Sequence, residues 1–204
     1  MDREDLASLL SRVRNCTVCA DSLPHGPRPV VQIHPDARIL VIGQAPGTKV
    51  HASGVPWDDP SGRLLRNWMG IDPTVFYDAT RVAMMPMGFC YPGKGKTGDL
   101  PPRPECAPLW HAALREHMSR IRLTLVIGLY AQRHYMSQRF EGNLTATVRS
   151  FRSFLPELLP LPHPSPRNGR WLVRNPWFER ELVPVLQKRV AAALAPGRRR
   201  SRRD

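Results

Sequence analysis

Arg38-Ile-Leu-Val-Ile-Gly43-Gln-Ala-Pro-Gly47 is the stretch whose reading decides the fold. Its short, unbroken apolar run is the pattern of a strand buried on both faces, and the Gly/Pro string behind it is a turn. Working outward, comparable strand patterns fall at 80–85, 122–127 and roughly 157–161. Helical patterns occupy 4–15, 61–70, 103–119, 129–138 and 176–195. Ser61 is the expected N-cap of the 61–70 helix, and Pro176 sits in the first turn of a helix that stops before Pro196-Gly197. Strands alternating with helices predict an α/β fold, a three-layer αβα sandwich around a central, mostly parallel four-stranded sheet. Ligands of such sheets bind beyond the carboxyl ends of the strands. Gly43–Gly47 falls there, and so does His163-Pro-Ser-Pro-Arg-Asn168, which follows the apolar run Phe154–Leu161.

A chain of 204 residues reads as one domain over 1–196, followed by an arginine-rich tail at 197–204 that is expected to be disordered. No apolar run is long enough to span a bilayer, and the acidic start Met1-Asp-Arg-Glu-Asp5 is unlike a signal peptide. A cytoplasmic monomer with no membrane partner is the expectation. Thirty Lys and Arg against 17 Asp and Glu give a net charge of +13, which favours a polyanionic partner such as nucleic acid. The bland alternative is an arginine-rich composition without that meaning. The segment Pro86–Pro104, with Gly88, Gly93, Gly95 and Gly98, is too long for an ordinary connection, and such loops are usually functional or tied down.

Four cysteines stand at Cys16, Cys19, Cys90 and Cys106, as a C-x2-C pair and a C-x15-C pair. In a reducing compartment these thiols point to zinc, to an iron–sulfur cluster or simply to burial. The wide second spacing is unlike the paired hooks of zinc ribbons.

These strings, taken together and in this order, resemble the uracil-DNA glycosylase superfamily. Gly43-Gln-Ala-Pro-Gly47 is similar to the G-E-A-P-G of its iron–sulfur enzymes and the G-M-N-P-G of its single-strand-selective monofunctional enzymes. Gly54-Val-Pro-Trp57 lines up with G-V-P-F of the latter, and Leu65–Ile71 resembles the stretch that comes next in those enzymes. His163–Asn168 matches the single-strand-selective motif letter for letter, and the cysteine spacing matches that of the iron–sulfur enzymes. The resemblance covers roughly residues 8–195.

It implies a monofunctional glycosylase that flips uracil out of DNA and hydrolyses its N-glycosidic bond, leaving an abasic site for base excision repair. It also implies a structural [4Fe–4S] cluster on Cys16, Cys19, Cys90 and Cys106. No lysine lies within the motifs to form a Schiff base. By the same carry-over His163 hydrogen-bonds the uracil O2 as charge builds, Trp57 stacks on the base, and a backbone N–H near Gly43 meets a uracil carbonyl. Pro164, Ser165, Pro166 and Arg167 would contact the DNA backbone or enter the duplex, with Ser165 also beside the base. Two departures stand out. Ala45 occupies the position where relatives carry an Asp or Asn to orient water, and Val50-His51 replaces an acidic pair. The uracil-reading Asn of the family falls within Ala83–Met87, near Met84. Gln44, Asn168 or backbone groups must then read the base, or the preferred base differs from uracil. His51, Asp58 and Asp59 are the candidates for placing water. The alternatives are a DNA-binding member of the fold that has lost catalysis, and an enzyme for another deaminated base or for RNA.

Overall fold

The computed structural model describes residues 4–196, so the tail at 197–204 lies outside the described residues. Four parallel strands form the sheet: β1 (Ile39–Ile42), β2 (Val82–Met84), β3 (Leu123–Ile127) and β4 (Leu158–Leu161). Their spatial order is β2-β1-β3-β4, with Leu40 opposite both Ala83 and Thr124, and Val126 opposite Pro160. The chain leaves β1 toward one neighbour and later returns to its other side. That reversal opens a crevice at the carboxyl end of β1.

Successive side chains point to opposite faces, and each face carries its own core. Ile39, Val41, Leu125 and Leu159 pack with Leu65, Trp68, Phe76, Phe178 and Leu186. Leu40, Ile42, Ala83 and Val126 pack with Leu9, Val13, Trp110, Leu114 and Ala131. The helices Pro60–Met69, Pro73–Tyr77, Leu144–Arg149 and Val183–Leu194 therefore cover one face. Leu6–Arg14, Ala112–Glu116 and Leu129–Tyr135 cover the other, which makes the predicted three layers. The Pro-rich connection over 20–37 guards the β2 edge: Gln32 N–H donates to the Met84 carbonyl at 2.9 Å and its side chain to the Val82 carbonyl at 2.7 Å.

The boundaries differ from expectation in three places, each for a local reason. The helix expected over 61–70 is capped by Asp59, whose Oδ1 accepts from Gly62 N–H at 2.7 Å, and Pro60 opens its first turn. Ser61 is buried inside that turn instead of capping it. The helix expected from 103 begins only around Cys106, because Pro104 holds Arg103 out of helical geometry while Arg103 grips Glu105. Its early part, Ala107–His111, is a wide π-type turn. Thr48–Ser53, Pro73–Tyr77, Leu144–Arg149 and Gly169–Arg174 are helices too short to show a period in sequence. No helix among the described residues is long and apolar enough to cross a membrane.

Candidate active site

A cavity of about 360 Å³ opens at the carboxyl ends of the strands, within the range of small-ligand sites. The turn after β1 supplies Gly43, Gln44, Ala45, Pro46 and Gly47, the exit of β2 supplies Met84 and Pro86, and the loop after β4 supplies His163, Ser165 and Arg167. Trp57 and Asp59 close one side, and Asp99 another.

Trp57 is held where its indole faces His163, with ring centroids 5.7 Å apart and planes 31° apart. Its backbone sits at φ +57°, a left-handed angle rare for a bulky residue. Two glycines permit this placement. A Cβ on Gly43 would lie 2.7 Å from Trp57 Cζ2, and one on Gly62 would overlap the Trp57 carbonyl. The Tyr77 hydroxyl donates to that carbonyl at 3.3 Å.

His163 is fixed from below and behind. Its ring stands over Gly128, where a Cβ would come within 3.9 Å of Cδ2, and the buried Gln132 amide donates to the Leu161 carbonyl at 2.9 Å, steadying the end of β4. The Asn168 amide donates to the His163 carbonyl at 2.8 Å, and Ser165 Oγ accepts from Arg167 N–H. Burial pushes the His163 pKa below the usual imidazole value, while the Asp59 and Asp99 carboxylates pull the other way. The imidazole is therefore neutral at neutral pH, able to donate from one nitrogen. The N–H groups of Gln44 and Ala45, two residues of the lining, make no backbone hydrogen bond among the described residues.

Most candidates read from the sequence converge here, and some do not. Gly43, Gln44, Ala45, Trp57, Asp59, Met84, His163, Ser165 and Arg167 line the cavity. Asn168 does not, because its amide is committed to the loop that carries His163. His51 is outside it too: it packs beside His25 and Tyr91 at 5.8 and 5.9 Å, with Nδ1 buried and unpartnered. Burial first, then Arg28 and His25, lowers its pKa. Asp58, Pro164 and Pro166 are likewise not in the lining, and Pro166 is exposed at the rim. Asp99 was missed in sequence. Its only signal was the length of the loop that carries it.

The four cysteines also converge, away from the cavity. Cys19, Cys90 and Cys106 are buried, and Cys16 is partly so. Burial raises the thiol pKa values of Cys19, Cys90 and Cys106, that of Cys90 to about 11 and that of Cys106 to about 12. Each of the four sulfurs is close enough to be felt by the other three. Among the described residues no three His, Cys, Asp or Glu side chains are placed to hold a single metal ion. Tetrahedral zinc at about 2.3 Å per bond needs sulfurs roughly 3.8 Å apart. A cubane spreads four thiolates over four irons and needs a wider quartet than a single zinc does. A cation there would also draw off the protons that burial now retains.

Residues 30–187 match the model of the uracil DNA glycosylase superfamily. The chain belongs to that superfamily. Among solved structures, it is similar to the solution NMR structure of a candidate uracil DNA glycosylase from Methanosarcina acetivorans, at 17% identity and a TM-score of 0.48. The likeness covers 79% of this chain and 97% of that one. The matched residues include all four strands and both Gly/Pro strings at their ends.

Proposed function

We propose that this protein is a monofunctional DNA glycosylase that removes uracil from DNA as a monomer, leaving an abasic site. The observation that carries this reading is the neutral His163 imidazole facing Trp57 across a cavity at the ends of the strands. A base swung out of the duplex would lie against the Trp57 indole, where stacking is worth about 1–3 kcal/mol. His163 would donate to the uracil O2 as negative charge moves onto the base, at no reorganisation cost because its loop is already braced. With Asn168 occupied and Gln44 Nε2 turned to the Leu100 carbonyl, the Gln44 side-chain oxygen and the N–H groups of Gln44 and Ala45 would read the base edge. Arg167, with Pro164 and Pro166, would meet the DNA backbone and fix the register.

Cys16, Cys19, Cys90 and Cys106 would hold a [4Fe–4S] cluster whose contribution is cross-linking. It would tie the segment after the first helix to Cys90 in the 86–104 loop and to Cys106 just beyond it. The reading is tested by incubating purified protein with a U·G duplex and analysing the products. Free uracil and an alkali-labile site support it. An intact strand, or release of a different base only, overturns it.

A further inference from the structure

Ala45 leaves the turn after β1 without a side chain that could hold water, yet two carboxylates share the cavity with His163. Both Asp59 and Asp99 are close enough for the imidazole to feel their charge. Asp59 has a structural task, since its Oδ1 accepts from Gly62 N–H and caps the helix behind it. Asp99 caps nothing.

The 86–104 loop folds back on itself as a small hairpin. Lys94 and Asp99 form an antiparallel bridge, Gly95 N–H donates to Gly98 at 2.6 Å, and Leu100 N–H donates to Gly93 at 2.9 Å. The hairpin leans onto the Gly43–Gly47 turn. Gln44 Nε2 lies 3.5 Å from the Leu100 carbonyl, and a Cβ on Gly47 would lie 3.5 Å from Asp99 Oδ2. Its other oxygen, Oδ1, is 3.5 Å from the Tyr91 hydroxyl. On the far side, a Cβ on Gly98 would reach Arg167 Nη1 at 2.9 Å, so the hairpin also touches the loop that carries His163. An acid from a distant segment therefore stands beside the turn whose own side chain is a methyl group.

We propose that Asp99 positions and deprotonates the water that attacks the sugar, supplying from the hairpin the group that Ala45 lacks. This rests on the glycosylase reading above. The C1′–N1 bond breaks with its electron pair going to N1, and the resulting uracilate is held by the His163 N–H. The water oxygen bonds to the electron-deficient C1′, one water proton passes to the Asp99 carboxylate, and solvent removes it. Uracil takes a proton from solvent, so the sum is one water added and one neutral base released. A carboxylate in this role contributes typically 10²–10⁴-fold.

The test compares single-turnover cleavage of a U·G duplex by wild type, Asp99→Asn and Asp59→Asn, with DNA affinity and Tm measured for each. Asparagine matches aspartate in shape and still caps a helix, so both variants are expected to fold. The proposal expects Asp99→Asn to cleave at least about 100-fold more slowly, with affinity and Tm near wild type, and Asp59→Asn to lose at least tenfold less. Cleavage by Asp99→Asn at near wild-type rate, or a larger loss in Asp59→Asn, overturns the role of Asp99 and leaves the glycosylase reading standing. Wild type that cuts no uracil overturns both.

Discussion

Trp57 lines the cavity with its backbone at φ +57°. A left-handed φ costs a bulky residue roughly 1–3 kcal/mol, and the packing of Gly43, Gly62 and Tyr77 around it is what sustains that angle. If the ring is there to hold a flipped base, Trp57→Ala should weaken uracil capture by about 1–3 kcal/mol. The loss should be larger on U·A than on U·G, because a mispaired base is cheaper to extrude. Equal loss on both duplexes, measured as single-turnover rates, would mark Trp57 as packing alone. His163 makes a second prediction through its charge state. Burial lowers its pKa, so the neutral donor persists through neutrality and below the ordinary imidazole value of 6.5. Cleavage should be flat from pH 8 to about 6.5 and fall only at lower pH, as His163, flanked by Asp59 and Asp99, takes up a proton. An acid limb centred above 6.5 in the pH–rate profile would contradict this.

At the scale of elements, the 86–104 loop runs between the cysteines and the cavity. Cys90 lies near its start, Cys106 lies just beyond its end, and the hairpin that carries Asp99 lies between them. Protein purified without air should contain about four irons per chain, as a Cys₄-held cubane requires. Cys106→Ala should lose the iron and lower Tm. One zinc per chain with no iron, by elemental analysis, would count against the cluster. The loop also shows where sequence reading stops. The strands and long helices were legible because each carries its own period or unbroken apolar run. The His163 string was legible because its residues act side by side. Asp99 reaches the cavity only through a hairpin whose geometry lies in contacts to Gly47, Gln44 and Arg167, far apart in the chain. Short helices such as Thr48–Ser53 escaped for a related reason, since one and a half turns show no periodicity.

Across the whole molecule, the β2-β1-β3-β4 order brings three loops to one pole, and nearly every chemical group discussed above is delivered by one of them. The basic excess has a more mixed meaning than composition alone implied. Arg12, Arg66, Arg115, Arg139 and Arg149 lie over aromatic rings at 4.3–5.5 Å, so part of the charge is used in packing. Among the described residues, Arg167 is the arginine that lines the cavity. The most direct test of the central claim is single-turnover cleavage of a U·G duplex by wild type and His163→Ala at saturating protein. Removing one preorganised donor to a developing anion should slow cleavage by about 10²–10³-fold while DNA affinity changes little. Cleavage by His163→Ala at near wild-type rate would contradict the account.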